Sequence, residues 1–162
     1  AVSVGPDDFG SDWRGGVAFQ RKIERAAFAA GGGSYAAPAC TVGALLGVRS
    51  RGKIVEPTYP LGVTECDLTR VLPSFVVETL AQSLPVLGKK LHGFDAPDAF
   101  LTAAETRTSS PVRVLRGQDC CAVGIEGLYP CGEGAGYAGG IMSAAVDGMR
   151  CSIALMRRFA RP

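Results

Sequence analysis

This chain of 162 residues has little histidine, little excess of one sign of charge over the other, and no long apolar run. Seventeen Lys and Arg against 15 Asp and Glu leave a formal net charge of +2, which creates no field that would attract nucleic acid or an anionic membrane surface. No run of about 18 strongly apolar residues occurs, so no transmembrane helix is predicted. Neither nucleic acid nor a membrane is therefore expected as a partner.

Chemistry that depends on histidine has one candidate residue, His92. A zinc site with a histidine ligand, or a Ser-His or Cys-His nucleophile, would have to use it. Because His92 follows Lys89 and Lys90 and precedes a glycine, its position is typical of a residue that caps the C-terminus of a helix.

The six cysteines match no disulfide framework and contain no C-x-x-C pair. The N-terminus also lacks the basic and apolar regions of a signal peptide. These features predict reduced thiols, no metal site and a cytoplasmic location. The sequence begins at Ala1 rather than at Met, so we expect that a preceding segment has been removed.

Glycines and prolines divide the first part of the chain into short elements. Residues 1–16 are polar and rich in glycine, which predicts an irregular lead-in. Apolar residues at helical spacing predict a helix from Val17 to about Ala30, ended by three consecutive glycines. A short helix is predicted within residues 41–47. Residues 52–62 contain two prolines and predict an extended connection.

A further helix is predicted from about Ser74, and Pro85 is expected to end or kink it. The composition then changes near residue 98. Beyond this point the pattern predicts short strands, namely Ala99 to Thr106, Val112 to Leu115, residues 120–127 and residues 127–131.

The last helix is predicted from about Gly140 to Phe159. Apolar residues repeat along it at gaps of 3, 4, 4 and 3, a spacing typical of the buried side of a helix. We therefore expect core packing for Met142, Ala145, Met149, Ile153 and Met156.

A glycine-rich loop, GEGAGYAGG at residues 132–140, lies before this helix. It contains the pattern G-x-G-x-x-G, which brings backbone N–H groups and a helix N-terminus close to the phosphates of a dinucleotide. That use of the pattern also requires a second strand with an acid about 20 residues later. Residues 154–162 contain no acid, so the loop is not the fingerprint of a first βαβ unit.

The loop carries an acid of its own, Glu133. A carboxylate repels phosphate but accepts hydrogen bonds from sugar or polyol hydroxyls. The backbone at Gly139, Gly140 and Ile141 then provides the positive end of a helix dipole. An acid for hydroxyls followed by a helix N-terminus is typical of a flavin site. A glycine turn that serves only close strand–helix packing remains the alternative.

Three segments of the chain are distinctive: FQRKIERAAFAAGGGSYAAPA (19–39), ETRTSSPVRVLR (105–116) and GLYPCGEGAGYAGGIMSAAVDGMR (127–150). They resemble the C-terminal portion of the uncharacterised FAD-dependent dehydrogenases, which are similar to the glutathione-reductase-like FAD proteins. The resemblance extends over nearly the whole chain from about Val17.

The resemblance implies an α+β chain that is a fragment of an α/β flavoprotein. Residues 1–98 would be the helical and irregular C-terminal part of an inserted, substrate-side domain. Residues 99–162 would be the C-terminal segment of an FAD-binding domain, with short strands and a strand-glycine loop-helix unit.

Site residues also follow from the resemblance. Glu133 would hydrogen-bond the ribityl chain of FAD, and the start of the last helix would face the pyrimidine end of the flavin. Arg107 and Thr108 would lie near the isoalloxazine. The full set of implied cofactor-binding residues is Gly132, Glu133, Gly134, Gly139, Gly140, Ile141, Arg107 and Thr108.

The implied activity is that of an FAD-dependent oxidoreductase acting on an unknown small molecule. The implied partners are FAD and the missing N-terminal half of the FAD domain, so the fragment alone is not expected to be active. The sequence identifies no catalytic residue and no metal ligand. Two other interpretations stay open: a non-catalytic structural or binding module, and thiol chemistry at Cys120, Cys121 and Cys131.

Overall fold

The structure is a computed structural model that describes residues 2–49 and 56–159. It contains helices and a small three-stranded sheet, which confirms the α+β expectation. The chain forms two compact units. The first contains the residues up to Phe9 and Ala18–Thr106, and the second contains Gly10–Val17 and the residues from Arg107 onward.

The beginning of the chain is more helical than its composition suggests. Helix α1 is Pro6–Phe9, and helix α2 is Trp13–Ala30, so the prediction of an irregular lead-in was wrong in part. The reason is local capping, because the Asp12 carboxylate accepts a hydrogen bond from the N–H of Arg14 at 2.9 Å and acids favour a helix start. The end of α2 at the glycines is confirmed.

The sheet of the first unit is small and mixed. Strand β1 is Ala37–Thr41, β2 is Val63–Glu65 and β3 is Phe100–Thr102. The order is β2-β1-β3, with β1 parallel to β2 and antiparallel to β3. The Ala99–Thr106 prediction is therefore confirmed only for Phe100–Thr102, in its first half. The central strand, APACT, was not predicted, since Ala and Pro are poor strand formers.

Helical segments alternate with these strands along the chain. Helix α3, Val42–Leu46, begins where the Thr41 hydroxyl accepts a hydrogen bond from Ala44 N–H and ends at Gly47 in the left-handed conformation, which confirms the short helix. A 3₁₀ turn follows at Leu68–Arg70. The described part of the expected extended connection, residues 56–62, contains no helix, and residues 50–55 lie outside the described residues.

Helix α4 is Ser74–Gly88 and contains Pro85. Pro85 was expected to end or kink the helix; it does not end it, because the helix continues to Gly88, and the kink stays a prediction. A proline removes a single backbone donor, and a loss near the last turn leaves the rest of the hydrogen-bond ladder in place.

The apolar core of the first unit is built on α2. Ile23 and Ala27 are buried with Val71, and partly buried side chains pack around them. The amide of Gln20 donates to the carbonyl of Thr106 at 2.7 Å, and the hydroxyl of Thr106 donates to Glu24 at 2.9 Å. The helical spacing that predicted α2 therefore also identified its buried side.

The second unit has one long helix, α5, at Ile141–Phe159, as predicted. The strands expected at 112–115, 120–127 and 127–131 are absent from the described residues, where only an isolated bridge joins Arg116 and Ala122. Cys120, Gly124 and Gly127 have φ values of 62°, 79° and 81°. Such left-handed residues turn the chain and prevent a continuous strand.

The expectation that the apolar stripe of α5 is buried was also wrong for the described residues. Cys151 is the buried residue of this helix, whereas Met142 is 76% exposed and Met149 is 59% exposed. Among the described residues of the second unit, no layer of strands is available to cover the stripe. We call its five residues the methionine face: Met142, Ala145, Met149, Ile153 and Met156. None of the described helices has the length and hydropathy needed to cross a bilayer.

The core of the first unit makes a prediction about stability. Ile23→Ala should lower the free energy of unfolding by about 2–4 kcal/mol, because it removes buried methyl groups and leaves a cavity. Urea denaturation measures the change. Arg25→Ala on the exposed side of α2 is the control and should change it by less than about 0.5 kcal/mol. Equal effects of the two substitutions would contradict the packing.

Candidate functional site

The glycine loop is a pair of overlapping turns. Gly136 N–H donates to the carbonyl of Glu133 at 2.9 Å, and Tyr137 N–H donates to that of Gly132 at 3.0 Å. Gly132 and Gly136 have φ values of 71° and 82°, which side chains rarely allow. A Cβ on Gly136 would also lie 2.6 Å from the carbonyl oxygen of Val112. Glycine at 136 is therefore required by backbone packing.

Gly134 differs from these two glycines. Its φ is not positive, and a Cβ at this position would have no atom within 4 Å. Neither the backbone conformation nor a described neighbour requires glycine here. The space beside Gly134 is therefore open on this part of the loop.

A largely buried ion pair holds the loop to α5. The guanidinium of Arg116 donates from Nη2 to Oδ1 of Asp147 at 2.6 Å and from Nη1 to Oδ2 at 2.9 Å. The two side chains are only 7% and 11% exposed. Nη1 also donates to the carbonyl of Pro130 at 2.7 Å, and Asp147 Oδ2 accepts from Gly132 N–H at 2.9 Å. The pair thus joins three segments of the second unit.

The ion pair is fixed in its charged state. Hydrogen bonds from Arg116, and then the hydrogen bond from the Gly132 N–H, lower the pKa of Asp147 from 3.8 to about 2, against the opposing effect of burial. The same hydrogen bonds raise the pKa of Arg116. Bidentate guanidinium–carboxylate contacts are short and directional, so both partners have defined orientations.

Tyr137 ties the other end of the loop to the segment before it. The Arg116 guanidinium carbon lies 3.6 Å from the Tyr137 ring centroid, and that of Arg113 lies 5.1 Å from it. The Tyr137 hydroxyl donates to the carbonyl of Val114 at 3.0 Å, and Arg113 Nε donates to that of Gly136 at 2.9 Å. Cation–π contacts and hydrogen bonds together fix both sides of the loop.

The carboxylate of Glu133 stands apart from this network. Glu133 is half-buried, and within residues 2–49 and 56–159 its side chain makes no hydrogen bond and no ion pair. Its neighbours on the chain are fixed by the contacts above. The loop therefore presents an acceptor group that the described residues leave available.

The structure brings most of the predicted site residues together. Gly132, Glu133 and Gly134 lie in the loop, and Gly139 and Gly140 lead directly into α5, whose first residue Ile141 is 90% exposed. A Cβ on Gly139 would lie 3.9 Å from the carbonyl oxygen of Thr108, so the segment containing Arg107 and Thr108 runs beside the loop. Arg107 has an interaction partner.

Comparison with known proteins identifies the family. Residues 1–108 match the family described as FAD-dependent protein, C-terminal domain-like. The chain belongs to this family. An uncharacterised protein of Clostridium beijerinckii (strain ATCC 51743 / NCIMB 8052) is 44% identical over 164 residues, which cover 99% of the chain. The chain spans 31% of the length of that relative.

The description of this family refers to FAD-dependent proteins. The family match ends at Thr108, within the segment beside the loop, and the alignment to the relative extends over the loop itself. The sequence resemblance implied cofactor-binding roles for the glycines and Glu133, but it implied no role for Arg116, Asp147 or Tyr137. Arg116 and Asp147 are 31 positions apart, and no local pattern shows that such distant charges pair.

The cysteines of this chain differ in their exposure to solvent. All six are free, and Cys120, Cys121 and Cys151 are buried. Burial, together with a hydrogen bond to Cys120, raises the pKa of Cys151 to about 11, and a protonated thiol is a poor nucleophile. Cys131 is exposed. Among the described residues, no group of three or more His, Cys, Asp or Glu could hold a metal ion.

The ion pair predicts a specific dependence of stability on pH. Because the folded-state pKa of Asp147 lies below its unfolded value, the stabilisation is complete above about pH 4 and is lost as pH falls towards 2. The loss should be about 2 kcal/mol relative to Asp147→Asn. Urea denaturation at a series of pH values measures it, and parallel profiles for the two proteins would contradict the assignment.

Substitution of Gly136 and of Gly134 should affect stability differently. Gly136→Ala should destabilise the protein by at least about 1–2 kcal/mol, because it adds a Cβ at positive φ against a carbonyl. Gly134→Ala should change stability by less than about 0.5 kcal/mol. Thermal and urea denaturation of both variants check the contrast, and a large loss at 134 would refute the open space described there.

Proposed function

We propose that this chain provides the ribityl and isoalloxazine end of the FAD site of a flavin-dependent oxidoreductase. The observation that carries the proposal is the Glu133 carboxylate, half-buried on a fixed loop and without a partner among the described residues. A carboxylate in such a position accepts hydrogen bonds well from vicinal hydroxyls. The ribityl chain of FAD supplies hydroxyls of this kind.

The open space beside Gly134 supports the same role. Residue 134 is a glycine although neither the backbone nor a described neighbour demands it. A cofactor that approaches the backbone closely would demand it. Gly132 leaves similar space, because a Cβ there would meet only the methyl group of Ala144, at 3.8 Å, although its positive φ already favours glycine.

The start of α5 supplies the second half of the proposed contact. The first N–H groups of a helix have no partner inside it and carry partial positive charge. In α5, a helix of 19 residues, these N–H groups belong to Gly140 and the residues directly after it. We assign Gly139, Gly140 and Ile141 to the pyrimidine end of the flavin, where they would stabilise negative charge. Arg107 and Thr108 would lie near the isoalloxazine.

FAD bound here would supply hydride transfer, and the protein would supply position and electrostatic stabilisation. Among this chain's residues, Glu133 would orient the ribityl chain and the α5 N-terminus would hold the ring. The substrate is a small molecule that these residues do not specify. We propose a glutathione-reductase-like arrangement, with residues 1–98 from an inserted substrate-side domain and 99–162 from the FAD domain, in a cytoplasmic enzyme.

The methionine face supports a larger protein around the site. Four of its side chains are large and exposed: Met142, Met149, Ile153 and Met156. Soluble proteins rarely leave a continuous apolar patch of this kind uncovered. The relative is about three times as long as this chain. We propose that the N-terminal half of the FAD domain, from the same polypeptide, covers the face.

A non-catalytic module remains the second candidate, and Gly136 favours it. At that position the glycine serves backbone packing against Val112 and Arg113. If packing explained the whole loop, the Glu133 side chain would have no effect on flavin binding. The effect of the Glu133 side chain on flavin binding therefore distinguishes the two functions.

The test uses the full-length flavoprotein and follows FAD retention by flavin fluorescence on dilution. Glu133→Ala should raise the Kd for FAD about 10- to 150-fold, because it removes a charged acceptor whose hydrogen bonds contribute about 1.5–3 kcal/mol. Glu78→Gln, an exposed acid on α4, is the control and should leave the Kd unchanged. Unchanged FAD retention in Glu133→Ala would refute the proposed function.

A further inference from the structure

We infer that Arg116 and Asp147 are positioning residues for FAD, holding Glu133 in the orientation in which it accepts hydrogen bonds from the cofactor. The inference rests on the proposed function of Glu133. With side chains 7% and 11% exposed, the two residues are themselves closed to a ligand. They act on the cofactor through the loop.

The first contact that transmits this effect is on the N-terminal side of Glu133. Asp147 Oδ2 accepts a hydrogen bond from the N–H of Gly132 at 2.9 Å, and Gly132 directly precedes Glu133. Arg116 Nη1 donates to the carbonyl of Pro130 at 2.7 Å. The pair therefore fixes the two peptide groups on either side of Cys131, directly before the peptide group that joins Gly132 to Glu133.

The second contact is on the C-terminal side. The guanidinium carbon of Arg116 lies 3.6 Å from the ring centroid of Tyr137. The Tyr137 N–H donates a hydrogen bond to the Gly132 carbonyl at 3.0 Å. One side chain thus touches the loop before and after Glu133. A carboxylate with no partner of its own depends on such a frame for its direction.

Stability alone is a weak reason to bury this pair. Removing two charges from water is costly, and apolar residues of similar volume often stabilise a protein as well or better. A bidentate pair instead gives orientation, because two parallel hydrogen bonds fix the plane of both groups. Each oxygen of Asp147 has a specific donor, Arg116 Nη2 for Oδ1 and Gly132 N–H together with Arg116 Nη1 for Oδ2.

The experiment is a double-mutant cycle in the full-length protein, with the Kd for FAD and the visible circular dichroism of bound flavin as readouts. Asp147→Asn keeps the shape of the side chain and removes its charge. Arg116→Lys keeps the charge and removes the bidentate contact. Asp119→Asn is the matched control, an exposed aspartate of the same unit that accepts from Cys121 N–H. Variants are compared at a temperature where each remains folded by far-ultraviolet circular dichroism.

Asp147→Asn and Arg116→Lys should each raise the Kd for FAD about tenfold or more and alter the flavin dichroism, because the carboxylate is misplaced. Asp119→Asn should change neither. In a Glu133→Gln background, Asp147→Asn should add less than about a twofold change, because both substitutions remove the same contact.

Two results would overturn the positioning role. One is an unchanged Kd in Asp147→Asn and Arg116→Lys while Glu133→Gln weakens FAD binding, which would leave the proposed function intact. The other is a full additive effect in the double variant, which would mean that the pair acts independently of Glu133. If Glu133→Gln itself left the Kd unchanged, the proposed function would fail and the inference with it.

Discussion

The second unit depends on the buried ion pair between Arg116 and Asp147. Few of its described side chains are fully buried, and its described residues form no strand layer over α5. An ion pair with several additional hydrogen bonds joins the segment before the glycine loop, the loop and α5. Where an apolar core is thin, directional polar contacts decide the arrangement, since they specify angles as well as distances.

The first unit is held by a different kind of interaction. Its core forms where α2 packs Ile23 and Ala27 against Val71, and three short strands pair beside it. This packing is non-directional and scales with the apolar area removed from water. The match to the FAD-dependent protein C-terminal family, over residues 1–108, falls mainly on this unit.

Two features of the second unit lack a partner among the described residues. One is apolar and the other is charged. The methionine face exposes apolar side chains, whereas the Glu133 carboxylate exposes a charged acceptor. An apolar surface gains by meeting another apolar surface, and a lone half-buried carboxylate gains by meeting hydroxyl donors. A larger flavoprotein around this chain would satisfy both requirements, in agreement with the proposed function.

Much of the helical structure could be predicted from sequence. The helices α2, α3, α4 and α5 follow from apolar spacing and from glycines at their ends, because an α-helix is stabilised by neighbours three and four residues away. Capping by Asp12 was missed, although an aspartate before a helix start is a visible pattern. The glycine loop and its acid were also visible, and the structure places them at the start of α5 as expected.

Strands and the ion pair were decided only by the tertiary structure. Strand β1 contains Ala, Pro and Cys, and it forms because Val63–Glu65 and Phe100–Thr102 lie on either side of it. The chain between 112 and 131 has strand-like composition, yet left-handed residues turn it. By itself the sequence determined local helices, turns and the presence of Glu133. The direction and availability of that carboxylate required the fold, because Arg116 and Asp147 meet across 31 residues and local patterns carry no information about such distant contacts.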